Sequence, residues 1–142
     1  NLYTPGQKKL IASLKGWKIN LQVCYDLRFP IWARQPVEAE KQYDLYINMA
    51  SWPNKRRHAW KSLLTARAIE NQSFVIGVNR IGTDGNGHQY AGDSMIIDPL
   101  GEALYTKEYE EAIFTFRLQK EKVADTRSKF PFLDDADEYL IL

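Results

Sequence analysis

Three short apolar runs, residues 17–24, 43–50 and 73–80, alternate with segments of helical spacing, and this order constrains the fold more than any other feature. Strand, helix, strand, helix, strand is the signature of parallel strands joined by crossover helices, because parallel neighbours cannot be linked by a tight turn. In the first run the apolar residues fall at Trp17, Ile19, Leu21 and Val23, with Lys18, Asn20 and Gln22 between them. Period-2 alternation of this kind describes a strand with two unlike faces. The apolar face is expected to pack on the core and the polar face to lie near a site. Residues 9–14, joined to this strand through Lys15-Gly16, are expected to complete an antiparallel hairpin.

Pro30 opens a segment expected to be helical from residue 31 to 42, kinked at Pro36. A second helix, about 55–72, sets Trp60, Leu63, Leu64, Arg67, Ala68 and Asn71 on one face at spacings of three and four. An Arg and an Asn are unusual in a plain core stripe. After residue 80 the pattern changes. A hairpin loop at 82–87 leads to strands at 90–98, 103–107 and 112–116, and then to a charged helix at 118–127. The expected whole is an α/β protein whose mixed sheet is parallel first and antiparallel later, with helices on one side. Residues 1–6 are expected to turn, and the acidic tail from Asp134 to be solvated, its apolar end available to a partner subunit.

At 142 residues the chain fits one domain with a substantial core. A net charge of +1, with no basic run longer than Lys55-Arg56-Arg57, argues against nucleic acid as a partner. No apolar stretch approaches the ~20 residues that span a bilayer. The single cysteine excludes an internal disulfide and fits a reducing cytoplasm. No His/Cys/Asp/Glu cluster has metal-ligand spacing, and Gly82, Gly85 and Gly87 lead into a strand and not a helix, so neither a metal nor a phosphate cofactor is expected. The start, Asn1-Leu2-Tyr3-Thr4-Pro5-Gly6, has neither an initiator Met nor a signal-peptide pattern and is expected to lie inside a longer protein.

That single thiol, Cys24, stands where a strand ends and a polar turn begins, the place at which an α/β enzyme sets a nucleophile. An unassisted thiol, with pKa about 8.5, is only a few per cent ionised at neutral pH. Arg28 and the partial positive charge of a following helix would favour the thiolate, and Asp26 would oppose it. The Tyr25 backbone N–H, next in the chain, is suited to donate to an oxyanion. The alternative is an inert, small buried hydrophobe. His58 or His88 could serve a Cys–His acyl hydrolase, although both also read as exposed surface histidines.

The segment Val-Cys-Tyr-Asp-Leu-Arg-Phe-Pro at 23–30 resembles the nucleophile segment of the nitrilase superfamily, the carbon–nitrogen hydrolases, and is most similar to its omega-amidase-like branch. The resemblance continues, in order, through Asn48-Met49-Ala50-Ser51-Trp52-Pro53, residues 64–72, Val78-Asn79-Arg80-Ile81-Gly82, Tyr90-Ala91-Gly92-Asp93-Ser94 and residues 97–102. It implies a four-layer α-β-β-α sandwich that dimerises or assembles further. It also implies a Glu–Lys–Cys triad in which Cys24 attacks an amide carbon, expels ammonia and leaves a thioester for water to hydrolyse. The Glu would be general base, and the Lys would stabilise the oxyanion with the Tyr25 N–H. In the family both lie further upstream of the cysteine than the 23 residues present here. No Glu precedes Cys24, and Lys8, Lys9, Lys15 and Lys18 sit in no matching motif. The resemblance therefore places residues 1–142 as the C-terminal portion of one carbon–nitrogen hydrolase domain, without a complete triad of its own. The alternative is a non-catalytic relative or assembly subunit.

Arg28 matches an offset at which carboxylate-handling relatives carry an arginine, whose planar fork can hold a carboxylate by two parallel bonds. It could equally organise the turn with Asp26 or Glu70. Trp52 resembles the loop aromatic beside the nucleophile and either walls the pocket or belongs to the core. Arg67, Glu70 and Asn71 are expected to pin their helix to neighbouring turns.

Overall fold

The structure is a computed structural model that describes residues 8–138 together with positions 4 and 6. The apolar end at 139–142 and most of the expected turn at 1–6 lie outside the described residues. One mixed sheet carries the fold, in the order β1 (Ile11–Leu14), β2 (Trp17–Val23), β3 (Leu45–Ala50), β4 (Phe74–Asn79), β6 (Gln89–Ile97) and β5 (Ile81–Thr83), with β7 (Ala103–Glu108) also paired to β6. β2, β3 and β4 run parallel, and β1, β5, β6 and β7 pair antiparallel. The helices are one turn at α1 (Pro30–Ala33), the long α2 (Arg57–Asn71) and α3 (Glu121–Lys129). Among the described residues no helix is long and apolar enough to cross a membrane.

Two expected elements are absent. The helix at 31–42 stops after one turn, and only a 3-10 turn at Ala39–Lys41 follows. Pro36 disfavours helical backbone in the residue before it. Gln35 instead bonds like a strand residue: its side chain donates to the Tyr43 carbonyl at 2.8 Å and accepts the Tyr43 N–H at 2.9 Å. The strand at 112–116 does not form, and the segment packs by its rings instead of joining the ladder. Ile113 is fully exposed, and Phe114 stacks on Tyr105 with centroids 3.9 Å apart.

The faces of the sheet also reverse the expectation for β2. Helix α2 lays Trp60, Leu64 and Ala68 against Tyr46, Val75, Met95 and Ile97. It comes close because Gly77 has no side chain; a Cβ there would sit 2.3 Å from Leu64 Cδ1. Asn20, Gln22 and Asn48, the polar side of the strands, are buried on this helix-covered face. Gln22 donates to the Trp32 carbonyl at 2.6 Å, Tyr46 donates its hydroxyl to Gln22 at 3.1 Å, and Asn48 donates to that hydroxyl at 3.1 Å. These partners make the burial of Gln22 and Asn48 tolerable. On the opposite face Leu45 and Phe74 meet Val123, Leu118 and Trp17 at one end only. The other end is bare: Val23 is 58% exposed, Met49 55% and Val78 48%.

Candidate active site

The bare end of the sheet is also the end at which Cys24 sits. β2 finishes at Val23 in extended backbone, and Cys24 then takes φ +47, a left-handed conformation that costs a residue with a Cβ of the order of 1 kcal/mol or more. The chain turns at once into a 3-10 helix, Cys24–Arg28. Three bonds keep it there. Asp26 accepts the Val23 N–H at 3.0 Å, its carbonyl accepts the Phe29 N–H at 3.0 Å, and Arg67 of α2 donates to the Leu27 carbonyl at 2.6 Å. Leu27, fully buried, is the plug beneath the turn. Arg67 is itself set by Glu70 at 2.8 Å, and Asn71 accepts the Gln35 N–H at 2.9 Å. These polar groups pin α2 to its neighbours, Arg67 to the cysteine turn and Asn71 to Gln35.

The Cys24 sulfur is half-buried and lies 4.0 Å from the Ser51 carbonyl, in the loop that leaves β3. The next residue, Trp52, is buried. Its indole N–H donates to the Arg56 carbonyl at 2.8 Å, and its ring lies 5.6 Å from that of Trp60. Arg28 rests its guanidinium 4.6 Å above the Trp52 ring. Among the described residues Arg28 forms no ion pair, because Asp26 caps Val23 and Glu70 holds Arg67. Tyr25 is exposed and meets Phe29 edge to face at 5.2 Å.

Of the residues singled out in the sequence, the structure thus brings Cys24, Tyr25, Arg28 and Trp52 to one end of the sheet. Trp52 belongs to the core on one side and carries Arg28 on the other. The histidines are elsewhere in role. His58 is exposed in the first turn of α2, and the exposed His88 gives its backbone N–H to Asp84 at 2.9 Å. Neither hydrogen-bonds the thiol. Among the described residues no group of three or more His, Cys, Asp or Glu could hold a metal ion. Sequence reasoning gave no role to Asn79, which binds the Trp52 backbone at both its N–H and its carbonyl. The only local signal was a polar residue closing an apolar strand.

A half-buried thiol thus stands on a left-handed strand-to-helix turn, with the Arg28 guanidinium on Trp52 at the same end of the sheet. Residues 1–128 match the carbon–nitrogen hydrolase family, and the chain belongs to it. It is 45% identical over 138 residues to the omega-amidase YafV of Escherichia coli (strain K12), covering 96% of this chain and 52% of that protein. It is 40% identical over 122 residues to the 2-oxoglutaramate amidase of Bacillus subtilis (strain 168), covering 86% and 46%. The crystal structure of XC1258 from Xanthomonas campestris, a CN-hydrolase superfamily protein with an arsenic adduct in its active site, superposes with a TM-score of 0.94. That protein is 44% identical, with 98% of this chain and 54% of that one covered. The chain spans about half the length of the curated relatives it matches.

Proposed function

We infer that residues 1–142 are the C-terminal portion of a single carbon–nitrogen hydrolase domain that releases ammonia from small carboxylate-bearing amides through a thioester on Cys24. The observation that carries this reading is the juxtaposition at the sheet end: Cys24 on its left-handed turn, with the Arg28 guanidinium parked on Trp52 beside it. The sulfur attacks the amide carbon, and the oxyanion takes the Tyr25 N–H. The C–N bond breaks as nitrogen accepts a proton and leaves as ammonia. Water then adds to the thioester, the C–S bond breaks, and the acid departs with the thiol restored. Arg28 receives the substrate's free carboxylate, the role its fork geometry suits.

The base and the oxyanion lysine come from upstream of this chain. The bare apolar end of the sheet supports that division of labour, since the exposed Leu21, Val23, Met49 and Val78 would be covered by the preceding half of a sandwich. A nucleophilic thiol must stay reduced, which favours the cytoplasm. Exposed Ile69 on α2 gives an apolar point for assembly into a dimer or larger homo-oligomer. The alternative is a non-catalytic binding subunit.

Two measurements separate these readings. The intact mass of the purified protein should exceed 16.5 kDa; a lone subunit of that mass without ammonia release favours the binding subunit. In the active protein, Cys24→Ala should abolish ammonia release from a dicarboxylic monoamide while the fold persists. Turnover retained in that variant overturns the nucleophile assignment.

A further inference from the structure

β3 and β4 part at the end that carries Cys24. Their parallel ladder pairs Ala50 with Asn79 and closes with the Arg80 N–H on the Ala50 carbonyl at 3.3 Å. The loop beyond Ala50 holds two groups of the site, the Ser51 carbonyl facing the sulfur and the Trp52 ring under Arg28. One side chain extends the ladder to reach it. The Asn79 amide accepts the Trp52 N–H at 2.7 Å and donates to the Trp52 carbonyl at 3.0 Å, the two bonds a paired strand residue would supply. Its remaining hydrogen goes to the Gly92 carbonyl at 2.7 Å.

The amide is itself fixed at both ends. The Asn79 N–H donates to the Ser94 hydroxyl at 3.0 Å, and that hydroxyl lies 3.3 Å from the Asn79 carbonyl. The Gly92 carbonyl is aimed by a bulge in β6, where the register shifts between Gly92 and Ser94 and φ is +77 at Gly92 and +51 at Asp93. An aspartate here would set an anion against two carbonyls, and a glutamine would be one methylene too long. A bidentate pair tolerates little displacement of its fork, so whatever sets Trp52 sets how well Arg28 meets a carboxylate.

We propose that Asn79 is a positioning residue for substrate charge: by clamping the Trp52 backbone it fixes the platform on which Arg28 is presented beside Cys24. This deepens the reading of Arg28 as the carboxylate group and rests on it. The test compares alkylation of Cys24 by iodoacetate and by iodoacetamide, followed by peptide mass on the intact protein. These reagents differ only in carboxylate against amide, so the ratio of their rates reads how the site receives a carboxylate. Arg28→Ala should lower the ratio about tenfold, the size of one good charge-assisted contact. Asn79→Ala should lower it severalfold while the iodoacetamide rate stays within about twofold, as expected when presentation of the cation and not the thiol has changed. Asn79→Ala that lowers Tm but leaves the ratio intact overturns the proposal and makes Asn79 structural only. An unchanged ratio in Arg28→Ala overturns the reading of Arg28 instead. Should Asn79→Ala not fold, Asn79→Gln keeps the amide one methylene further out and is held to the same ratio.

Discussion

The two faces of the sheet break the same rule in opposite directions. The face under α2 buries Asn20, Gln22 and Asn48, while the opposite face leaves Val23, Met49 and Val78 about half exposed. Simple amphipathic reasoning for β2 puts Asn20 and Gln22 outside and Val23 inside. What decides the outcome is which layer a face meets. Against α2 the Gln22 and Asn48 amides find the Trp32 carbonyl and the Tyr46 hydroxyl, so their burial leaves them bonded. Among the described residues the apolar side meets α3 at its far end and is left about half exposed at the Cys24 end. A buried polar face and an exposed apolar one together fit the proposal of a second covering layer from another part of the protein, with the thiol at that border.

The largest test of the contrast pairs two deletions. Leu64→Ala empties the packed centre under α2, where Leu64 is fully buried, and should cost about 2–5 kcal/mol in denaturant unfolding. Met49→Ala, on the bare side, should cost no more than about 0.5 kcal/mol if that end is open to water. Equal costs would show that the Met49 side is covered in the purified protein, as an upstream layer would require.

Neighbours on one strand sharpen it. Gly77 faces Leu64 and Trp60, whereas Val78 faces outward. Gly77→Ala adds a methyl 2.3 Å from Leu64 Cδ1 and should destabilise by about 1–3 kcal/mol, although Ala is otherwise the better residue in a strand. Val78→Thr should leave the unfolding midpoint nearly unchanged. A harmless Gly77→Ala would mean that α2 can retreat from the sheet, and the close packing under the cysteine turn would lose its force.

The parts of this fold legible in the sequence are those set by local pattern. The parallel strands and α2 follow from periodicity, and their observed bounds lie close to the expected ones. The candidate site was legible where chemistry concentrates in one segment, so that Cys24, Tyr25 and Arg28 could be proposed together. Failures came where the partner is remote. Residues 112–116 have a strand's composition but pack by the stacking of Phe114 on Tyr105, and residues 31–42 lose their helix to Pro36 and to Gln35 bonding Tyr43. Asn79 was invisible for the same reason: its side chain's two partner residues lie 13 and 27 positions away, and its significance is geometric.

The finest test concerns the polar network of the covered face. Burial pushes the Tyr46 phenol up to about 12 from its ordinary 10.0, since a phenolate there would lose water. Folding therefore favours the neutral phenol. That contribution is whole below pH 10 and is lost as the pH climbs from 10, where the unfolded chain gives up its proton, toward 12. Tyr46→Phe removes the hydroxyl and leaves the Gln22 and Asn48 amides short of a partner, at a cost of about 1 kcal/mol at pH 8. The gap between variant and wild type should narrow at pH 11, because only the wild type then pays to keep this proton; Tyr43 is present in both and cancels. A gap that stays constant from pH 8 to 11 would mean that the Tyr46 hydroxyl reaches water, and the helix-covered side of the sheet would be no drier than the bare one.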